Sequence, residues 1–187
     1  MFGAVEGPRS WARHLLAVRR LQERTGGFTE FVPLPFVHME APIWRRGLAR
    51  SGPTFGETIL VHAVARLVLH PWITNVQASW VKLGPDGVRA LLRAGVNDLG
   101  GTLMNESISR AAGSEWGQEL PPEEMEDLIR SARRVPRQRT TTYAEPPEAQ
   151  VRRSFGAAPL AEPLNPPVRD AGLRRPAKLL RPAALAG

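Results

Sequence analysis

One short alternating stretch decides the fold of this chain: Asn75-Val76-Gln77-Ala78-Ser79-Trp80-Val81. Polar residues at positions 75, 77 and 79 alternate with apolar residues at 76, 78 and 80, which is the period of a β-strand with two unlike faces. In a β/α barrel the outward face packs under helices and is apolar, so the polar set points into the barrel. We therefore predict a strand from Asn75 to Leu83, with Gln77 and Ser79 facing a reaction chamber.

Strand and helix patterns alternate along the chain on both sides of this stretch. Two further strands are predicted, Phe28 to Val37 and Val96 to Leu103, although Pro33 and Pro35 weaken the first because proline cannot donate to a sheet ladder. Helices are expected from Pro8 to the Gly26-Gly27 stop, from a Thr54/Glu57 capping box to His70-Pro71, and over Pro85–Ala94, Asn105–Ala112 and Pro122–Arg134. Strand-to-helix units in series imply parallel strands joined by right-handed crossovers.

The apolar spacing also predicts which helix faces are buried. The predicted buried sets are Trp11, His14, Leu15, Val18 and Leu21 in the first helix, Leu60, Val64, Leu67 and Val68 in the second, and Met125, Leu128, Ile129 and Ala132 in the last. After Tyr143 the chain is rich in Pro, Ala and Arg and poor in aromatic residues, so residues 144–187 are expected to form a disordered tail. The folded part is accordingly expected to span residues 1–143.

Polar residues in the last predicted strand are candidates for a binding site. Asp98 and Thr102 alternate with leucines there, and Gly100-Gly101 would allow a ligand to approach the backbone closely. An equally open alternative is that Asp98 caps or bridges neighbouring loops and that the two glycines relieve a tight bend.

Two more side chains are candidates at the rim where barrel active sites lie. His38 comes just after the first predicted strand, although a lone histidine at such a point is also typical of a loop hydrogen-bonder. Lys82, at the C-terminal end of its predicted strand, could bind a carboxylate or a phosphate, or simply be solvated. No second histidine stands at metal-ligand spacing, so a zinc site is not predicted.

Composition argues against several classes of protein. The net charge of +7 and the pI near 11.2 suggest a protein that binds nucleic acid. The arginines of the first helix, however, surround its polar side and form no recognisable binding module, which argues against nucleic-acid binding. The longest apolar-rich stretch, Ile59 to Leu69, falls short of the roughly 20 residues that span a bilayer. The chain has no cysteine, which rules out disulfides and a thiolate-held cluster on this chain alone. The cytoplasm is the expected location.

Three motifs resemble one known enzyme family. They are Phe31-Val32-Pro33-Leu34-Pro35-Phe36, Ser79-Trp80-Val81-Lys82 and Asn97-Asp98-Leu99-Gly100-Gly101-Thr102. With their surroundings, from Met1 to about Tyr143, they closely resemble the tyrosine-using half of 7,8-didemethyl-8-hydroxy-5-deazariboflavin synthase (FO synthase), a radical S-adenosylmethionine family. The resemblance implies an α/β fold that is the C-terminal part of a (β/α)8 barrel, incomplete in this chain.

The same resemblance implies a chemistry and a set of pocket residues. The family uses S-adenosylmethionine and a [4Fe–4S] cluster, and it joins the 4-hydroxybenzyl group of tyrosine to 5-amino-6-ribitylaminouracil in deazaflavin coenzyme biosynthesis. Carried over to this chain, the candidates for the substrate or S-adenosylmethionine pocket are Phe36, His38, Gln77, Ser79, Lys82, Asp98 and Thr102. No residue is predicted to be catalytic or to bind a metal.

The chain also departs from the family pattern. The Cys-x-x-x-Cys-x-x-Cys motif that holds the cluster is missing, and Phe2-Gly3-Ala4 stands where the family usually has Tyr-Gly-His. Two hypotheses follow. In the first, which we favour, the chain is the C-terminal piece of a radical S-adenosylmethionine transferase, inactive alone, and its partner is the missing N-terminal barrel half. In the second, it is a non-catalytic interaction or nucleic-acid-binding protein with the basic tail as its contact arm.

Overall fold

The computed structural model describes residues 1–103, 106–117, 119–158 and 160 of the chain. Within these ranges the helices are α1 (Pro8–Thr25), α2 (Pro42–Arg45), α3 (Phe55–Leu69), α4 (Trp80–Arg93), α5 (Ile108–Ala111), α6 (Pro122–Ser131) and α7 (Glu148–Phe155). None of these helices combines the length and the apolar character needed to cross a membrane.

Extended segments between the helices pair in chain order, and every pairing is parallel. Phe2 pairs with Pro35, Phe31 with Val76, and Gln77 with Asp98. Consecutive segments are joined through α1, α3 and α4 in turn. The expected α/β alternation with parallel pairing is therefore present, but each contact is a single bridge, shorter than the strands that the sequence predicts.

The two prolines explain why the pairing is so short. Phe31 bonds in both directions with the segment at residue 75: its N–H donates to Asn75 O at 2.9 Å, and its carbonyl accepts from Gln77 N at 3.0 Å. Backbone groups of alternate residues point to opposite sides of a strand, so Pro33 and Pro35 share the side of Phe31 and have no N–H to continue this ladder. The other side is unaffected, since Phe2 N donates to Leu34 O and Phe36 N donates to Phe2 O, both at 2.9 Å.

The largest core cluster lies between the paired segments and two helices. Val76, Ala78 and Leu99 come from the segments. The helices α4 and α6, with the residue that caps the end of α6, supply Trp80, Val81, Val88, Leu91, Leu92, Leu128 and Ala132. Met125 and Ile129 pack against this cluster while half-buried, so the buried face predicted for the last helix is confirmed.

The predicted buried stripe of α3 is right for Val64 and Val68, which are half-buried against a core cluster, and wrong for its other two members. Leu60 and Leu67 are exposed, at 52% and 78%, whereas the buried residues of the helix are Thr58, Val61, His62, Ala65 and Leu69. The helix is apolar on nearly every side, so spacing alone does not select the face that packs. The capping box that opens α3 is present as predicted, with Thr54 Oγ1 accepting from Glu57 N at 3.1 Å and Glu57 Oε2 accepting from Thr54 N at 2.7 Å.

Helix α1 differs from its prediction at three positions. Trp11 and Leu15 are buried as expected, but His14 and Leu21 are exposed and Gln22 is buried instead. The Gln22 amide bonds with Phe28 N at 2.7 Å, Phe28 O at 2.9 Å and Trp72 O at 3.1 Å. A buried amide is stable when its donors and acceptor are satisfied, and so Gln22 holds the loop that follows the helix.

The predicted strand from Asn75 to Leu83 is also wrong in its second half. Helix α4 begins at Trp80, which places Ser79 at the helix N-cap and Lys82 in the first turn. Gly84 interrupts the helix with φ 64° and ψ 177°, and the helical run resumes at Pro85 as predicted. The alternation of polar and apolar residues over 75–80 therefore runs past the extended segment into the first turn of α4, where it does not indicate a strand.

The C-terminal part corrects two further expectations. The short predicted helix after Met104 is reduced to α5, and residues 104 and 105 lie outside the described ranges. Helix α7 occupies Glu148–Phe155, inside the segment predicted to be a disordered tail, so that prediction is wrong for this helix. Residues 161–187 lie outside the described ranges, and the domain boundary at residue 143 stays a prediction.

Candidate functional site

Polar side chains converge on one face of the paired segments. Gln77 and Asp98 are bridge partners and so project from the same side, opposite to the buried Val76 and Leu99. Glu30 reaches the same side from the preceding segment, and its Oε2 accepts a hydrogen bond from Gln77 Nε2 at 3.2 Å. We call this side, defined by Glu30, Gln77 and Asp98, the polar face. It borders a cavity of about 850 Å³.

A C-terminal strap, residues 137–144, crosses the polar face. The Tyr143 hydroxyl lies 2.5 Å from Glu30 Oε2 and 2.5 Å from Asp98 Oδ2. Arg139 adds a positive charge, with its Nη2 2.7 Å from Asp98 Oδ2 and 3.6 Å from Glu30 Oε2. The guanidinium also lies over the Tyr143 ring, 4.1 Å from its centroid, an arrangement that favours a cation–π contact.

The electrostatics of this cluster favour a neutral phenol. Burial raises the pKa of Tyr143, and its hydrogen bonds to the two carboxyl groups together with the charge of Asp98 raise it further, against a smaller lowering effect of Arg139. Deprotonation of the phenol would remove the proton that its hydroxyl donates to the acidic oxygens. Tyr143 therefore acts as a hydrogen-bond donor that holds two acidic side chains together.

Asp98 has both carboxylate oxygens engaged within the chain. Its Oδ1 accepts from Gly100 N at 2.7 Å, and its Oδ2 contacts Tyr143 and Arg139. The side chain is 5% exposed. This is the bridging arrangement that the sequence leaves open as an alternative, and any contact of Asp98 with substrate stays a prediction.

Gly100 supports the same arrangement. Its φ of 75° lies in the left-handed region that favours glycine. An added Cβ would come within 3.2 Å of Gln77 Oε1, so the absence of a side chain leaves room for the Gln77 amide on the polar face.

A second, smaller cavity of about 270 Å³ lies elsewhere and holds the rim candidates Phe36, His38 and Lys82. Lys82 Nζ donates to Ser109 Oγ at 3.1 Å. Burial lowers the pKa of Lys82, and the charge of Glu106 opposes that shift. Burial likewise lowers the pKa of His38, against a hydrogen bond with the Ser51 backbone, and the His38 ring packs edge-on to Trp44 at 4.7 Å.

The predicted site residues thus divide into groups. Gln77, Asp98 and Thr102 border the large cavity, and Phe36, His38 and Lys82 border the small one. Ser79 borders neither, and as the N-cap of α4 it makes no side-chain capping bond. The structure therefore separates two sets of polar groups that the sequence treats as one pocket.

Sequence reasoning missed Glu30, Arg139 and Tyr143. Glu30 could have been found, because it is the only charged residue of the first predicted strand. No local signal exists for the other two, since Tyr143 lies 113 positions from Glu30. Such a contact depends on how the whole chain folds.

The donor set for an iron–sulfur cluster is absent from this chain. The sequence has no cysteine, and within the described ranges no group of three or more His, Cys, Asp or Glu side chains could hold a metal ion. Because a [4Fe–4S] cluster is held by thiolates, the residues present do not fit it.

Comparison with known proteins gives a consistent family assignment. The family model described as "CofH/MqnC C-terminal region" matches residues 25–151. Over 143 residues the chain is 57% identical to a 5-amino-6-(D-ribitylamino)uracil–L-tyrosine 4-hydroxyphenyl transferase of Methanopyrus kandleri, covering 76% of this chain and 39% of the relative. It is 54% identical over 144 residues to an FO synthase of Mycobacterium leprae, covering 77% of this chain and 17% of the relative. An FO synthase of Streptomyces avermitilis is 49% identical over 152 residues, with 81% of this chain and 18% of the relative covered. The chain therefore spans well under half of each relative.

Proposed function

Since the chain belongs to the family of the CofH/MqnC C-terminal region, we propose that it forms part of a transferase that joins the 4-hydroxybenzyl group of tyrosine to 5-amino-6-ribitylaminouracil. The name of the Methanopyrus kandleri relative describes the two substrates, and identity above one half over most of this chain supports the same pair here. The chain alone is expected to be inactive.

The proposed architecture is the C-terminal portion of a (β/α)8 barrel. Parallel pairing in chain order, with a helix between each pair of segments, supports it. A closed barrel of this kind takes about 250 residues, so the remaining strands have to come from another stretch of polypeptide. The same stretch would supply the thiolates for the [4Fe–4S] cluster, and S-adenosylmethionine would bind beside that cluster.

One observation carries the assignment of a substrate region. Side chains from successive parallel segments, Gln77 and Thr102 among them, border a single cavity of about 850 Å³, whose lining also includes Leu99 of the main core. Cavities of this size suit small organic substrates. Amide and hydroxyl groups there could bind the uracil ring and the ribityl hydroxyls.

The smaller cavity, lined by Phe36, His38 and Lys82, would bind a charged end of a substrate. Lys82 is a half-buried ammonium group whose pKa is lowered by burial. A carboxylate placed beside it would favour the charged form and oppose that lowering of the pKa. We assign Lys82 and His38 to a carboxylate of tyrosine or of S-adenosylmethionine, with Phe36 as an apolar wall of the same cavity. Ser79 lies outside this cavity.

The test supplies the missing polypeptide in trans. The region of the Methanopyrus kandleri transferase that precedes the matched segment is loaded with its cluster under anaerobic conditions and mixed with this chain, S-adenosylmethionine, a reductant, tyrosine and the aminouracil. Mass spectrometry is expected to show a coupled hydroxybenzyl–uracil product that requires both polypeptides. If an assembled mixture with an intact cluster yields no coupled product, the proposed function is wrong.

Variants of this chain locate the site within the active mixture. Gln77→Leu replaces a polar group of the cavity and is expected to lower turnover by about ten-fold or more, the effect of one lost substrate hydrogen bond. Arg20→Leu changes an exposed position of α1 and serves as the control with unchanged turnover. Equal turnover of both variants would contradict the assignment of the polar face.

A further inference from the structure

One side-chain amide on the polar face lies flat against a glycine. A Cβ at Gly100 would stand 3.2 Å from Gln77 Oε1, 3.3 Å from Gln77 Cδ and 3.4 Å from Gln77 Nε2. Because these three distances are nearly equal, the face of the amide group is turned to Gly100, and not its edge. The glycine therefore limits the plane of the amide, but it does not decide which end of the amide carries the oxygen.

Glu30 decides which end carries the oxygen. Gln77 Nε2 donates to Glu30 Oε2 at 3.2 Å, and the same oxygen accepts from the Tyr143 hydroxyl at 2.5 Å. Arg139 Nη2 lies 3.6 Å from it. The reverse orientation of the amide would place its oxygen against an oxygen that already acts as an acceptor, and two acceptors repel each other. The contacts of Glu30 therefore keep Gln77 Nε2 on the side of the carboxyl group.

This arrangement leaves the amide oxygen of Gln77 free. No described residue donates a hydrogen bond to Gln77 Oε1, and the atom is not among the buried, unpaired side-chain atoms of the described residues. Gln77 also borders the large cavity. The cavity therefore offers an acceptor of fixed orientation, which a ligand satisfies with an N–H or O–H group.

The aminouracil of the proposed function carries a donor that fits this acceptor. The imide edge of a uracil ring is one N–H between two carbonyl groups. The hydroxyl of Thr102 belongs to a residue that borders the same cavity, and it can donate to one of those carbonyls. A site built to bond an N–H of its ligand rejects an analogue that lacks the N–H, because the acceptor of the site is then left unpaired.

We propose that Gln77 Oε1 determines specificity by accepting from the imide N–H of the aminouracil, and that Glu30 is the positioning residue that keeps this oxygen turned to the cavity. In this role Glu30 acts through Gln77, and Tyr143 and Arg139 hold Glu30 in place. The inference rests on the proposed function for the identity of the ligand. Its tests measure binding, which requires no turnover.

The first test compares two ligands. This chain is mixed with the region of the Methanopyrus kandleri transferase that precedes the matched segment, without a reductant. Isothermal titration calorimetry then measures the Kd of the aminouracil and of its analogue with a methyl group on the imide nitrogen. The wild-type mixture should bind the analogue about ten-fold or more weakly. With Gln77→Leu, the aminouracil should bind about ten-fold more weakly than to wild type, and the two ligands should differ by less than about three-fold.

The second test exchanges the two side chains. Gln77→Glu places two carboxyl groups in contact and should weaken aminouracil binding by about ten-fold. Glu30→Gln lets either end of the Gln77 amide face position 30, so about half of the molecules present the oxygen and Kd should rise only about two-fold. In the double variant the new amide at position 30 donates to the new carboxylate at position 77, whose other oxygen faces the cavity. Its affinity should return to within about three-fold of wild type.

Two controls separate this role from a purely structural one. Glu124→Gln makes the same substitution at an exposed position of α6 and should leave both Kd values unchanged. The affinity for tyrosine should stay within about two-fold of wild type in every variant, whereas general damage to the fold would weaken binding of both substrates together. Circular dichroism confirms that each variant is folded.

Four outcomes overturn the inference. They are equal affinity of the wild type for the two uracils, no binding of the aminouracil, parallel loss of tyrosine binding, or a double variant that binds no better than Gln77→Glu alone. Discrimination between the two uracils without any coupled product supports the inference and overturns only the proposed function. Coupled product without this discrimination overturns only the inference.

Discussion

Tyr143 is the only tyrosine of the chain, and its phenol joins two acidic side chains that arrive from separate segments. The residue adopts φ 63°, a conformation that costs free energy for any residue other than glycine. Its hydrogen bonds to Glu30 and Asp98 and the covering Arg139 offset that cost. Removal of one hydroxyl therefore leaves two carboxyl groups close together with a single cation between them.

Tyr143→Phe is expected to lower the free energy of unfolding by about 1–3 kcal/mol, the cost of losing hydrogen bonds to charged groups. Urea denaturation followed by tryptophan fluorescence measures the change. Thr141→Ala, at an exposed position of the same strap, is the control and should stay within about 0.5 kcal/mol of wild type. Equal stability of the Phe variant would show that the phenol does not hold the polar face.

The same phenol predicts a dependence of stability on alkaline pH. The pKa of Tyr143 is raised by burial and by its acidic neighbours, so the folded state keeps a proton that the unfolded state loses above about pH 10. The unfolded state then binds fewer protons, and the contribution to stability, complete below that pH, falls as the pH rises through it. Absorbance of the phenolate should appear only well above pH 10 in the folded protein. An ordinary phenolate titration in the native chain would contradict the buried hydrogen bonds.

His62 gives the corresponding prediction in acid. The side chain is fully buried on α3, its Nδ1 bonds with Thr58 O at 2.8 Å, and its Nε2 has no partner among the described residues. Burial lowers its pKa, against the effect of the Thr58 bond. Below about pH 6.5 the unfolded state therefore binds more protons, and the free energy of unfolding should fall by up to about 1.4 kcal/mol per pH unit. His62→Leu should flatten this slope, whereas His14→Leu at an exposed position should not. A slope unchanged in His62→Leu would assign it to other groups.

At the scale of elements, α4 depends on one glycine. Gly84 combines φ 64° with ψ 177°, and an added Cβ would lie 2.2 Å from the Trp116 ring. Gly84→Ala is expected to lower the free energy of unfolding by about 2–6 kcal/mol, from backbone strain and overpacking of similar size. Gly27→Ala, whose Cβ would meet nothing nearer than 3.5 Å, is the control.

A second substitution separates the two causes. Trp116→Ala in the Gly84→Ala background removes the clash but leaves the backbone strain. It should therefore recover only the part of the lost free energy of unfolding that comes from overpacking. Full recovery would mean that the φ and ψ of Gly84 impose no cost on alanine, and no recovery would mean that Trp116 is not in contact with it.

The sequence predicts elements well where a local signal determines them. The Thr54/Glu57 box and the prolines that open α1 and α6 give the starts of three helices correctly. The start of α4 was missed because Ser79-Trp80-Val81 fits strand alternation as well as a helical turn. The packed face of α3 is predicted only in part, because Leu60 and Leu67 are as apolar as the residues that are buried, and only tertiary packing distinguishes them.

At the scale of the whole molecule, the lack of cysteine gives a direct prediction. The isolated chain, incubated anaerobically with iron and sulfide, is expected to acquire no stoichiometric [4Fe–4S] cluster, because it offers no thiolate ligands. Visible absorption and iron analysis after desalting measure this, with a bacterial ferredoxin as the positive control. A stoichiometric cluster on this chain would require a ligand set that its residues do not suggest.

The sequence predicts more of the architecture than of the candidate site. Parallel pairing in chain order follows from alternating local patterns, and the bridges at Phe2, Phe31 and Gln77 agree with it. The polar face could be predicted only in part: Gln77 and Asp98 follow from strand parity, whereas the cross-connection by Arg139 and Tyr143 depends on a strap that returns from far along the chain.

The contact of the C-terminal strap with the polar face has a consequence for the order of folding. The contact of Tyr143 with Glu30 closes a loop of 113 positions, at an entropic cost of about 4 kcal/mol for the length alone. The segment-to-segment bridges close much shorter loops and should form first. Strap contacts would then be absent from the folding transition state, so their loss would speed unfolding and leave the folding rate nearly unchanged. During synthesis, Glu30 and Asp98 would stay in contact with water until the ribosome has released Tyr143.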